Sequence, residues 1–267
     1  MKIGFIGAGQ MATALAAGMA NKCERELEFL VYSPRAVSIE KLAAACGPAA
    51  NVTAAESTQA VVDKSDVVFL AVKPQMLEEA MEGINFESKS LVISIIGGAD
   101  MYRLRRIVGH NRIVRTMPNT PCLIGMAATG YAVDEGVSGE DAALVEELFG
   151  AVGTILLVHD ESLINSVAGV SGSGPAYVYT FIEAMIDGGV LVGLKRDIAR
   201  AVSTNSSVPL PRVSFSVLCL WTERSRGNRV CAGSRPVYCR YCTHLGGRSR
   251  RPRRSAGLAA RAHGVPA

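Results

Sequence analysis

Residues Lys2–Ile6 form a short apolar run that breaks into Gly7-Ala-Gly9 and then into an alanine-rich stretch, placing Gly7, Gly9 and Ala12 in the order G-x-G-x-x-A. A buried strand, a glycine turn and a helix start are implied. Gly7 permits the tight turn, Gly9 lets a pyrophosphate approach the backbone, and Ala12 lets helix and strand pack closely. The free N–H groups and positive dipole end of the helix then face the phosphates. The alternative is a glycine-containing βα turn with no ligand.

Further strands are expected at Glu28–Tyr32, Val67–Ala71, Leu91–Ile95, Arg112–Met117 and Ile155–Val158. Helical spacing covers Met11–Asn21, Ala36–Cys46, Ser57–Val62, Gln75–Ile84, Met101–Val108 and Gly139–Phe149. Strands recurring every 25 to 35 residues or so are βαβ units of a parallel sheet. From Ser162 the period is helical, over Leu163–Val170, Pro175–Gly193 and Asp197–Ser203. Ser171-Gly-Ser-Gly174 interrupts it, with Ser173 as the expected N-cap. Ala176–Leu191 is apolar nearly all round, which predicts burial against another subunit.

The expectation is an α/β chain: a doubly wound parallel Rossmann-type sheet (1–160), the start of an all-helical dimerisation domain (161–202), and a disordered tail (203–267). The tail holds twelve arginines, no lysine and one acid, Glu223, a net charge of +11, whereas the preceding residues carry sixteen basic and twenty-three acidic groups, net −7. Loss of periodicity, prolines at 209, 211, 236 and 252 that break most windows, and arginine without lysine favour an out-of-frame reading near Ser203. A basic arm for nucleic acid and a metal site at Cys239-Arg-Tyr-Cys242 are the weaker readings. No apolar run is long enough to span a bilayer, and the seven cysteines show no disulfide framework, so a cytoplasmic location with no membrane partner is expected.

Three loops carry the remaining chemistry. Val31-Tyr-Ser-Pro-Arg35 ends the second strand without the acid that would grip a ribose 2′-hydroxyl. Ser33 and Arg35 suit a 2′-phosphate, favouring NADP(H) with NAD(H) also admissible, unless Arg35 is only a solvated charge. Lys73 and Pro74 close the third expected strand at the carboxyl edge of the sheet, and Gly97-Gly98 lets backbone approach a nicotinamide. In Arg115-Thr-Met-Pro-Asn-Thr-Pro121 two prolines bracket Asn119 and Thr120. Asn119 either bonds a carboxamide or substrate group, or makes an Asx-turn.

Gly4–Ala12, Ala71-Val-Lys-Pro74, Arg115–Pro121 and Ser171-Gly-Ser-Gly-Pro-Ala-Tyr177 match the pyrroline-5-carboxylate reductase family in order and spacing, and the chain resembles it over about residues 1–202. The resemblance implies hydride transfer from NAD(P)H to the C=N carbon of 1-pyrroline-5-carboxylate, giving L-proline, and self-association through the helical domain. Around the cofactor it implies Ile6, Gly7, Ala8, Gly9, Gln10, Met11, Ser33, Arg35, Ala71, Val72, Lys73, Pro74, Gly97, Gly98, Met117, Pro118 and Asn119. Lys73, Asn119 and Thr120 are the catalytic candidates, and Ser171, Gly172, Ser173 and Gly174 the substrate-binding ones. No metal is expected, and His110 and His159 are expected to be surface or loop residues. The family's C-terminal Ser/Gly-Gly/Thr-Thr helix start is missing from 203–267, which puts the activity in doubt. The rival expectation is a non-catalytic nucleotide-binding module with a basic nucleic-acid-binding tail.

Overall fold

The computed structural model describes residues 1–86 and 90–207. The arginine-rich stretch beyond Ser207, and the expectations placed on it, lie outside these. Eight strands make one sheet: β1 (Lys2–Ile6), β2 (Glu28–Tyr32), β3 (Asn51–Ala54), β4 (Val67–Leu70), β5 (Leu91–Ser94), β6 (Ile113–Met117), β7 (Ala127–Val133) and β8 (Gly153–Leu157). Their order is β3-β2-β1-β4-β5-β6-β7-β8, with every neighbouring pair parallel except β6 and β7. The chain winds outward from β1 to β3, then restarts at β4 on the other side. The crevice between β1 and β4 is therefore the switch point at which open α/β sheets bind ligands.

Helices α1 (Gln10–Lys22), α2 (Ala36–Cys46), α3 (Thr58–Lys64), α4 (Leu77–Met81), α5 (Met101–Val108) and α6 (Gly139–Gly150) connect the strands. Alternation in β1 explains why the sheet is covered on both faces. Ile3 and Phe5 join one core with Phe29, Phe69 and Phe149, and Ile6 joins the other with Val68, Leu70 and Leu104. Phe5 and Phe69 stack across the strand pair at 4.7 Å. Helix α1 buries Ala12, Leu15, Ala16 and Met19, one face at helical spacing, and so holds the glycine turn against β1.

Two strands escape the periodicity argument. The edge strand β3 exposes three of its four residues, and β7 is an Ala/Gly-rich return strand without the alternation that marks a strand in sequence. A Cβ on Gly130 of β7 would come within 2.8 Å of Val167, so glycine admits the next helix at close range. That helix is α7 (Ile164–Val167), entered through a 3-10 turn at Glu161–Leu163.

The interruption expected at Ser171–Gly174 is instead a π turn, Ala168–Gly172, closed by Ser173 N–H to the Ala168 carbonyl (3.0 Å) and leading into α8 (Gly174–Leu191). Ser173 does not cap α8 with its side chain, because its backbone is already helical there. The last described helix, α9 (Arg196–Ser207), runs four residues past the expected stop at Ser203. Of α8, only Ile186 is buried within the chain; Tyr177, Val178, Tyr179, Phe181 and Leu191 are exposed. No helix among the described residues is long and apolar enough to cross a membrane.

Candidate active site

The glycine turn is built by two different glycines. Gly7 has φ +102, and a Cβ there would sit 2.6 Å from the Ala71 carbonyl oxygen, so the loop after β1 is pressed against the loop after β4. Backbone bonds from Gly7 N–H to Tyr32 O (2.8 Å) and Ala71 N–H to Ile6 O (2.9 Å) fix the three loops together. Gly9 has ordinary φ and ψ as the N-cap of α1, and a Cβ there would meet nothing within 4 Å. No side chain caps this helix end, leaving a concave, donor-rich cradle that fits a pyrophosphate.

Two hollows meet at this cradle. One of about 330 Å3 is lined by Gly7, Ala8, Gly9, Ser33, Pro34, Arg35, Ala71, Val72, Lys73 and Met76. The other, about 490 Å3, is lined by Ala8, Gly9, Gln10, Thr13, Arg35, Val37, Ser38, Lys41 and Leu123. No acid lines either. Ser33, Arg35, Ala71, Val72 and Lys73 thus line one hollow, while Ser38 and Lys41, which the sequence reading does not single out, line the other beside Arg35. Ile6 is buried in the sheet and Met11 packs against the core, so these two shape the turn from behind.

A second cluster lies after β5 and β6. The Met117 methyl is 4.0 Å from where a Cβ on Gly97 would stand and 3.4 Å from that of Gly172, so it sits between the β5 loop and the π turn. Gly98, at φ +79, completes the turn behind Gly97. Asn119 is 7% exposed; its Nδ2 donates to the Ser171 carbonyl (2.9 Å) and its Oδ1 accepts from Ala128 N–H (2.9 Å). In place of the Asx-turn, one of the two readings of Asn119, the side chain makes a clamp joining the Arg115–Pro121 loop to the Ser171–Tyr177 segment. Pro118 is buried beside it, while Thr120 is exposed at the head of a 3-10 turn, Thr120–Ile124. Ser171 and Gly172 belong to this cluster; Ser173 and Gly174 begin α8 beyond it. The catalytic candidates are thus spread out, with Lys73 in the nucleotide hollow and Asn119 in the clamp.

The clamp is anchored from below. Arg115, 2% exposed, pairs through Nη1 with Glu161 and donates from Nη2 to Asn165 Oδ1 (2.8 Å). Glu161 also accepts from Met101 N–H at the start of α5 (3.3 Å). Sequence reasoning did not single out Arg115, because nothing in the local pattern shows that a charged residue in β6 is buried.

Two titratable groups on these elements hold their protons. Burial, together with the bond to Glu146 (2.5 Å), drives the Tyr131 phenol far above its usual range. Burial raises the Cys122 thiol to about 11, so it stays protonated near neutral pH. His110 accepts a bond from Arg112 N–H (3.1 Å) and packs edge-on against Phe86, and His159 is an exposed loop residue. What the arrangement offers is positioning: a phosphate cradle, cationic walls and a rigid clamp that brings two loops together.

A switch-point crevice with a glycine cradle, joined to an apolar helical module, defines a Rossmann-type NAD(P)-dependent oxidoreductase. Residues 2–98 match the family model described as NADP oxidoreductase coenzyme F420-dependent, and residues 161–208 match that for pyrroline-5-carboxylate reductase dimerisation. The chain belongs to the pyrroline-5-carboxylate reductase family. It is 39% identical over 199 residues to the Escherichia coli pyrroline-5-carboxylate reductase, covering 73% of this chain and 72% of that one. With the Arabidopsis thaliana enzyme it shares 35% over 216 residues, 77% and 74% of the two chains.

Among solved structures, the Coxiella burnetii pyrroline-5-carboxylate reductase superposes with a TM-score of 0.72 at 27% identity, covering 91% of this chain and 88% of that one. The Plasmodium falciparum pyrroline carboxylate reductase, solved with NADP bound, does so at 0.67 and 30%, with the same coverages.

Proposed function

We propose that the chain reduces the C=N bond of 1-pyrroline-5-carboxylate to give L-proline, the last step of proline biosynthesis, with NADPH as the preferred reductant and NADH admissible. The observation that carries this reading is the Asn119–Ser171 clamp, which joins the two most family-specific segments beside an acid-free nucleotide hollow. The nicotinamide, when bound, supplies the hydride.

In this reading the Gly7–Gly9 cradle and the α1 N-terminus hold the pyrophosphate, and Ser33 with Arg35 holds the 2′-phosphate. Ala8, Gln10, Ala71, Val72, Lys73 and Pro74 line the path toward the ring. Gly97, Gly98, Met117 and Pro118 shape its far end. Ser171, Gly172, Ser173 and Gly174 present backbone and hydroxyl groups to the substrate, while Asn119 fixes their distance from the nucleotide. Lys73 and Thr120 contribute polar contacts at the rim. Reduction of a protonated imine needs chiefly alignment of donor and acceptor carbons, so a site built for positioning suits it.

The proposal includes a nucleotide domain over 1–160, a partial dimerisation and substrate segment over 161–202, and a separate segment over 203–267. It also includes self-association through the exposed apolar face of α8 and a cytoplasmic location. The test is NADPH oxidation with 1-pyrroline-5-carboxylate, run on the whole chain and on a chimera whose residues after Ser207 are replaced by the corresponding segment of the E. coli relative. Turnover in the chimera, with slower turnover in the whole chain, is expected. No turnover in either, with both chains folded, overturns the reading.

A further inference from the structure

Helix α2 carries a feature that the reading above leaves unused. Arg35, Ser38 and Lys41 follow at three-residue intervals, so they stand on one side of the helix. All three line the same hollow of about 490 Å3, whose other walls come from the glycine turn, α1 and Leu123. Neither Arg35 nor Lys41 forms an ion pair or a side-chain hydrogen bond among the described residues. Two cations, a hydroxyl and the positive end of α2 therefore converge on one concavity that no acid lines. Residues 1–202 carry more acids than bases, so two cations without a counter-charge leave a local field that suits a dianion and repels nothing on a neutral ribose.

We propose that Lys41 is the second cation of a 2′-phosphate subsite whose first is Arg35, and that the pair sets the selectivity for the phosphorylated dinucleotide. This assignment rests on the dinucleotide reading given above. Arg35 presents a planar fork at the mouth of the helix, and Lys41 adds a mobile point charge from the second turn. Ser38, between them, supplies a hydroxyl to the same group. Lys41 has no role toward the pyrophosphate, which the α1 N-terminus holds. Its removal should therefore discriminate between the two nucleotides rather than weaken both.

Isothermal titration calorimetry on the full chain tests this, using NADPH, NADH, adenosine 2′,5′-bisphosphate and 5′-AMP as probes. Lys41→Ala should weaken NADPH and the bisphosphate about tenfold and leave NADH and 5′-AMP within about twofold, and Lys41→Arg should restore most of the loss. The dependence of NADPH affinity on salt should become shallower in Lys41→Ala. Lys64→Ala, an exposed lysine on α3 far along the chain, serves as the control and should bind all four probes as the parent does. Equal weakening of NADPH and NADH, or unchanged NADPH affinity, overturns the assignment of Lys41 while leaving the cofactor reading intact. Failure of the unmodified chain to bind either NADPH or the bisphosphate overturns both.

Discussion

Gly9→Val is expected to weaken NADPH binding on the order of 100-fold while changing stability by no more than about 1 kcal/mol. The two halves of this expectation come from the same geometry. A Cβ at position 9 meets no protein atom within 4 Å, and the backbone there has φ −78 and ψ 177, which any residue adopts. The branched side chain would instead occupy the space into which α1 directs its free N–H groups. Gly7→Ala makes the contrasting case. Its positive φ and the 2.6 Å approach to the Ala71 carbonyl put the strain into the fold itself, so stability should fall by about 1–3 kcal/mol. Calorimetric binding and denaturant unfolding measured together separate the two. A Gly9→Val chain that binds NADPH like its parent would show that the cradle is not where the phosphates sit.

The second large effect concerns stability. Glu161→Ala should destabilise the chain by about 3–5 kcal/mol, because it strands the buried guanidinium of Arg115 with Asn165 as its remaining side-chain partner. It also removes the acceptor of Met101 N–H, an uncapped first-turn donor of α5. Glu161→Gln, which keeps a carbonyl in place, should lose distinctly less. The double change Arg115→Met with Glu161→Leu should recover most of the loss, since replacing both members of a buried pair leaves no orphaned charge. Urea unfolding of the four chains decides the matter; a single mutant as stable as the parent would mean that the pair carries no net energy.

What the sequence makes legible follows from how local each determinant is. Helices Ala36–Cys46 and Met101–Val108 are read to the residue, because a βα turn before the first and Asp100 and Gly109 around the second mark their ends chemically. Strand β1 and the turn after it are equally plain, since each glycine there has its own local reason. The edge strand β3 and the return strand β7 are not, because their strand character comes from pairing with distant neighbours rather than from alternation. For the candidate site, the positions of Ser33, Arg35 and Lys73 beside one hollow follow from strand ends alone. Lys41 became visible once α2 had a defined face. Asn119 could not be assigned from its neighbours, because its partners Ala128 and Ser171 are brought to it by β7 and by the π turn.

The π turn at Ala168–Gly172 also acts as a phase shifter. It inserts one residue into an otherwise nearly continuous helical path, and one residue corresponds to about 100° of rotation. Helix α8, with its stripe of Tyr177, Phe181 and Leu191, leaves the sheet at an azimuth fixed by that single insertion. Deleting one residue there would swing the stripe about a quarter-turn around the helix axis, with every side chain still present but aimed elsewhere. The compass bearing of this apolar stripe is thus written in five residues, one of which, Ser171, is bonded by Asn119, not in the stripe itself.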